Sequence, residues 1–413
     1  MIRAVSEVGE KGDQWLRRPV NLRSTYSGRD GSGTTKRPNR SATPRISATS
    51  AYVGPTTASR CATHAWRDTD HSNHGAPTNT RDERADMTTE AVHCHAGQVL
   101  PPLTIPVGAT AQRPEWGELP TAIRAAIVQV LGSAVVQAKS QRSGFTPGFA
   151  SRLWLADGQT MFVKAASSQT KWLVEAYALE ATNLELLPPA VPAPRIRRRL
   201  DLTDGETDWL VLIFEDVPGH PPTRPWKREE ADRVLAAVRA QSIALTPAPP
   251  RRPPWRPFIF PDPPGLFEQV NAQGFLPDIA SRLQELGMLA VEGVRGDTLI
   301  HSDLRDDNVI LADTGDVWVC DWNWPTQGPI WVDTLTVTIS MVGDGLDGDR
   351  ILNESGLVAR TDANLIDGVL ALLLSYCLTA DIGSPKDDSP FLRTHHVWYA
   401  EVIERWLRHR RGW

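Results

Sequence analysis

The chain has 413 residues, of which 41% are hydrophobic, and a formal net charge of −5. That length holds two or three compact units, and the composition excludes a fibre and gives no overall basic character for binding nucleic acid. Its longest apolar runs, such as Val369–Leu374, fall far short of the roughly 20 residues that cross a bilayer, so no transmembrane segment and no membrane partner are predicted.

Met1–Val20 carries charges throughout and has no apolar h-region, which predicts no secretion signal and a cytoplasmic protein. Residues 1–86 are rich in Arg, Ser, Thr, Gly and Asn without a sustained period, and read as a disordered basic tail. Arg17, Arg18, Arg23, Arg37 and Arg40 lack interleaved aromatic residues, so nucleic acid is not expected as a partner. Translation from Met87 is an alternative reading of this segment, and residues 87–118 read as a poorly ordered lead-in. Cys61, Cys94, Cys320 and Cys377 are scattered without C-x-x-C pairing, which predicts reduced thiols. In His93-Cys94-His95 three adjacent side chains cannot converge on one ion, and no second cluster completes a metal site.

Ordered structure is predicted from Leu119, where a Leu-Pro start leads into a helical stripe of Ile123, Ile127, Val130 and Leu131. Strands follow at 134–141, 150–155 and 160–165, the last two joined by an Asp157-Gly158 hairpin turn. A helix over 171–187 stops at Pro188-Pro189, and a strand over 209–214 precedes Pro218-Gly219. Residues 119–217 therefore read as a small antiparallel β-β-β-α-β lobe. Residues 218–413 read as a larger, mainly helical lobe, with helical patterns at 228–245, 276–289, 331–341, 363–378 and 391–409 and a short hairpin over 309–320. The proline-rich stretch 246–264 is expected to be an irregular loop.

Chemistry concentrates in Leu299-Ile300-His301-Ser302-Asp303-Leu304-Arg305-Asp306-Asp307-Asn308, which leads through the hairpin to Val319-Cys320-Asp321-Trp322. The turn at Asp313–Asp316 folds Asp321 back beside the loop that carries Asp303 and Asn308. Phosphoryl transfer needs such a cluster: a base for the acceptor hydroxyl, and hard oxygen ligands for the magnesium that accompanies a triphosphate. Asp303 is the candidate base, and Asn308 and Asp321 are the candidate ligands.

With its H-x-D-x-x-x-x-N spacing and following Asp-Trp, the chain resembles the aminoglycoside phosphotransferase and choline kinase-like family over about residues 119–413. Ser302 stands where that family usually has glycine; serine is small enough for the tight loop, so only a modest perturbation is expected, although a position requiring positive φ would be strained. The resemblance implies a two-lobed protein kinase-like α+β fold using ATP, with GTP left open, together with Mg2+ and a small-molecule hydroxyl acceptor. It implies that Lys164 on the third strand reaches the α- and β-phosphates, that Glu180, in preference to Glu175, pairs with it, and that the Gly144-Phe145-Thr146 turn covers the phosphates. It further implies that the backbone from Glu215 to Val217 meets the adenine, and that Asp333 and His301 support the catalytic loop.

Asp333 follows Asp321 by only twelve positions, too few for a protein kinase activation loop, and this favours a small-molecule acceptor. A catalytically silent nucleotide-binding regulator of the same fold is the competing reading. Asp344, Asp347 and Asp349 are candidates for an acidic pocket that would take a polycationic acceptor, although their Gly-Asp alternation favours a solvated loop. Trp318, Trp322, Trp324 and Trp331 are expected to serve core packing more than ligand stacking. Acceptor identity and oligomeric state stay open at this point.

Overall fold

A computed structural model describes residues 110–382 and 391–413. The expected basic tail, the alternative start at Met87 and the His93-Cys94-His95 cluster lie outside the described residues. Among the described residues no helix is long and apolar enough to cross a membrane.

The N-lobe opens with α1 (Thr121–Leu131), entered through Pro120 and closed by Gly132 in a left-handed cap. Its buried Ile123 and Ile127 pack on a five-stranded antiparallel sheet of order β1-β2-β3-β5-β4. The strands are β1 (Val135–Ser140), β2 (Phe149–Leu155), β3 (Thr160–Ser167), β4 (Ile196–Asp204) and β5 (Thr207–Glu215), with α2 (Lys171–Leu186) between β3 and β4. Side chains alternate along a strand, so β5 turns Val211 and Ile213 to α1 and Leu210, Leu212 and Phe214 to α2. Both faces of the sheet are thereby covered.

The lobe is β-β-β-α-β-β, one strand more than predicted. The missed element is β4, an edge strand whose Arg197, Arg198 and Arg199 break the apolar alternation. Charged side chains on an exposed edge are a common defence against further strand pairing, and they also hide the strand from a hydrophobicity reading.

The C-lobe contains α3 (Arg228–Ala244), α4 (Trp255–Ile259), α5 (Pro263–Ala272), α6 (Ala280–Gly293), α7 (Val332–Gly343), α8 (Gly348–Ser355), α9 (Ala363–Thr379) and α10 (Leu392–Arg411). Every residue of α7 is buried, with α3, α8 and α10 packed against it, while α9 takes α5, α6 and α10. Two small sheets carry the loops at the lobe interface. One pairs β7 (Thr298–Ile300) with β10 (Thr326–Gly328), and the other joins β6 (Gly219–His220), β8 (Val309–Ala312) and β9 (Val317–Val319). A Cβ at Gly219 would collide with the Leu311 carbonyl, so glycine lets the segment between the lobes lie directly against the β8–β9 hairpin.

Two further expectations are corrected. The stretch 246–264 is not wholly irregular: α4 forms inside it and α5 starts at its end, with Pro263 in the first turn, where a missing N–H costs nothing. The segment around residues 344–349 is neither an acidic pocket nor a solvated loop. Asp344 is buried against Arg224 at 2.5 and 2.9 Å, Asp347 caps α8 by accepting the Arg350 N–H, and Asp349 pairs with Arg410. The result is the two-lobed protein kinase-like α+β fold.

Candidate active site

Three elements bring the predicted residues together. Strand β3 presents Lys164 to the cleft, and α2 places Glu180 opposite it, with both Glu180 oxygens 2.8 Å from Lys164 Nζ. The same ammonium also donates to Asp321 Oδ1, so one buried cation bridges both lobes. Glu175, the alternative partner, takes no part in this contact. Arg195 holds the end of α2 by donating to the carbonyls of Leu184, Leu187, Pro188 and Val191, which fixes the helix that carries Glu180.

Burial penalises the Lys164 ammonium, but the Asp321 and Glu180 carboxylates outweigh this and hold its pKa above the ordinary lysine value. Burial pushes the Glu180 carboxyl up to about 7 against the pull of Lys164. For Asp321 burial acts upward, yet the Lys164 ammonium prevails and keeps its pKa below the usual carboxylate range.

The loop that carries Asp303 is set from behind. Buried Asp333, at the start of α7, accepts the N–H groups of His301 at 2.7 Å and Ser302 at 3.1 Å. His301 Nε2 donates to the Cys320 carbonyl at 2.9 Å, tying the loop to the residue before Asp321. Ser302 does adopt the left-handed region, at φ 71°, and its hydroxyl contacts Thr326 Oγ1 at 2.7 Å. A non-glycine residue there carries strain of about 1 kcal/mol or more.

Asn308 Nδ2 donates to the Asp303 carbonyl at 2.8 Å, which leaves its amide oxygen as the acceptor available to the cleft. Asp303 stands half-buried at the cleft, its Oδ1 accepting from Arg305 at 2.7 Å. Burial raises the Asp303 pKa, opposed by Arg305 and reinforced by Asp307 and Asp321.

Two cavities meet at this cluster. The first, about 150 Å3, runs under the sheet past Lys164, Glu180, Phe214, Glu215 and Val217 to Asn308 and Asp321. The second, about 320 Å3, lies in the C-lobe beside Ser302, Asp303 and Arg305. Gly144, Thr146, Asp321 and Asn323 line both. Phe145, expected at the nucleotide, turns to the second cavity, where its ring lies 4.7 Å from that of His395 and under the Arg305 guanidinium. The Val217 carbonyl accepts from Arg152 at 2.9 Å, and Glu215 Oε2 accepts from Arg197.

Sequence reasoning missed Arg305, Asp307 and Arg113. Arg305 grips Asp307 with two 3.0 Å bonds while holding Asp303, a fork only a guanidinium supplies. Its signal was the Arg-Asp-Asp run inside the loop. Arg113 reaches from before α1 to the carbonyls of Ser143 at 3.1 Å and Gly148 at 3.3 Å, and lines the first cavity. No local motif announces it. Of the four tryptophans, Trp322 and Trp331 are buried, whereas half-buried Trp324 lines the second cavity.

No curated protein sequence matches the chain. Solved structures similar to it include macrolide 2'-phosphotransferase from Brachybacterium faecium, at 16% identity over 68% of this chain and 97% of that one with a TM-score of 0.45. Choline kinase from Streptococcus pneumoniae shows 14% identity over 71% of this chain and 98% of that one, also at a TM-score of 0.45. Spectinomycin phosphotransferase in complex with ADP and spectinomycin shows 12% identity over 68% and 96%, at 0.46. The family model described as phosphotransferase enzyme family matches residues 143–354, just over half of the chain, and spans the loop of Asp303 and α7. The chain belongs to the phosphotransferase enzyme family.

Proposed function

We propose that the protein is a small-molecule kinase that moves the γ-phosphoryl group of ATP to an acceptor hydroxyl with the help of magnesium, in the cytoplasm. In this reading residues 119–217 bind the nucleotide, and residues 218–413 carry the catalytic loop and the acceptor site. The supporting observation is the bridge of Lys164 to Glu180 and Asp321 at the place where the two cavities join Asp303 and Asn308.

Lys164 binds the α- and β-phosphates, and Glu180 aims it. The turn at Gly144 and Thr146 closes over the phosphates, and the backbone between Glu215 and Val217 faces the adenine. Asp303, its pKa raised, accepts the hydroxyl proton and orients the oxygen for in-line attack, without a covalent phospho-enzyme.

The donor set suits magnesium: the Asn308 amide oxygen and the second Asp321 oxygen are hard ligands facing the first cavity. Among the described residues no group of three or more His, Cys, Asp or Glu side chains is placed to hold an ion. Magnesium bound through one or two side chains and substrate phosphates needs no such group. When bound, it supplies positive charge to the triphosphate.

The test is nucleotide binding and turnover by the full chain. A magnesium-dependent rise in melting temperature with ATP, and ADP release that depends on an added alcohol, are expected. ATP binding with no turnover across a broad panel of alcohols would instead favour a silent nucleotide binder.

A further inference from the structure

The segment before α1 is strapped to the turn between β1 and β2. The Thr110 and Ala111 N–H groups both donate to the Arg142 carbonyl at 3.0 Å, and the Thr110 hydroxyl donates to the Gly144 carbonyl at 2.6 Å. Glu115 accepts from the Ser140 hydroxyl at 2.9 Å and from Arg142 at 2.8 Å. Arg113 lies between these ties, and its two terminal nitrogens donate to the carbonyls of Gly148 and Ser143, one near each end of the turn.

Arg113 does more there than a staple requires. Both of its acceptors are neutral carbonyls, so neither neutralises the guanidinium, and its buried Nε has no hydrogen-bond partner among the described residues. A bound anion accounts for such a group, since buried donors are otherwise satisfied within the fold. The position suits an anion too. The side of Gly144 that would carry a Cβ faces Arg113 Nη2 at 3.3 Å and Asp307 Oδ2 at 3.7 Å, so the guanidinium stands where the turn meets the Asp303–Asn308 loop. It lines the first cavity together with Lys164, Asn308 and Asp321. Its charge is felt at Asp321, where it adds to the larger pull of Lys164 against the upward push of burial.

We propose that Arg113, delivered by the strap ahead of α1, is a second cation for the phosphates of the nucleotide and works alongside Lys164. The proposal rests on the phosphotransferase reading for the identity of the first cavity as the nucleotide site. A guanidinium carries five N–H donors in a planar fork, so Arg113 keeps donors for phosphate oxygens while it holds the turn that covers them. Phosphate binding and the order of the turn are thereby joined through one side chain.

Isothermal titration of the full chain with MgATP at low and high KCl tests this without turnover. Arg113→Gln keeps a donor for a turn carbonyl and removes the charge. It is expected to bind MgATP about tenfold more weakly at low KCl, and to lose less of its affinity than the natural protein as KCl rises. Thr110→Val removes a neutral tie of the same turn and is expected to leave the salt dependence unchanged. Arg113→Lys keeps the charge as a point cation and is expected to lose only about threefold. Circular dichroism checks that each variant folds, and Arg113→Lys carries the test alone if Arg113→Gln does not.

Three results overturn the proposal: equal affinity in Arg113→Gln and the natural protein, a loss in Arg113→Gln with the salt dependence unchanged, or a loss of about tenfold in Arg113→Lys as well. The last two mean that Arg113 only staples the turn. Absence of saturable MgATP heat from the natural protein strikes the phosphotransferase reading itself, and the proposal with it.

Discussion

Asp333 holds Ser302 in its left-handed conformation: one carboxylate oxygen takes the Ser302 N–H at 3.1 Å while the other takes that of His301 at 2.7 Å. Two successive amides pointing at one buried carboxylate fix the loop just before Asp303. Asparagine at this position would turn an amide donor toward one of those N–H groups. Asp333→Asn is therefore expected to cost about 2 kcal/mol in urea denaturation and to lower kcat, because a hydrogen bond to a charged group is lost and a donor left facing a donor.

Removal of the proposed base separates chemistry from binding. Asp303→Asn keeps the loop's shape and is expected to lower kcat by about 10²- to 10⁴-fold, the usual worth of a positioned general base. The ATP-induced rise in melting temperature should stay unchanged. Equal turnover in the variant and the natural protein would refute the role of Asp303.

The bridge at Lys164 predicts a non-additive pair. Lys164→Met leaves Glu180 buried without its cation, at a cost of about 3 kcal/mol, and should abolish magnesium-dependent ATP binding. Adding Glu180→Gln removes the stranded charge. The double variant is expected to recover most of the lost stability in a denaturant titration and none of the nucleotide binding.

His395 sets an acid limb of stability. Its pKa falls from 6.5 to about 3 in the folded chain, so below pH 6.5 the unfolded chain takes up a proton that the folded one refuses. Its contribution is fully present above pH 6.5 and is lost as the pH falls toward 3, at a slope approaching about 1.4 kcal/mol per pH unit. His395→Gln should flatten the profile by that slope, as followed by denaturant midpoints between pH 7 and pH 5.

The parts legible in the sequence were those whose physics is local. The Asp157-Gly158 turn, the alternation along β5 and the stop of α2 near Pro188 each follow from a few adjacent residues. The placing of Asp303, Asn308 and Asp321 together was legible because one short stretch of chain carries the first two and the β8–β9 hairpin returns Asp321 to them. What escaped depends on partners far along the chain. Arg113 reaches Gly148, and Arg224 lies 120 residues before the Asp344 it neutralises, so the acidic stretch looked available when it was not. Phe145 escaped for a similar reason: its surroundings are built by α10, some 250 residues later.

The wall shared by the two cavities has a kinetic consequence. Gly144, Thr146, Asp321 and Asn323 belong to both chambers, so a triphosphate tail and an acceptor occupying them would meet along one shared wall. In the proposed reaction neither ligand need leave before the other arrives. Double-reciprocal plots would then intersect, as for a ternary complex, and would not run parallel.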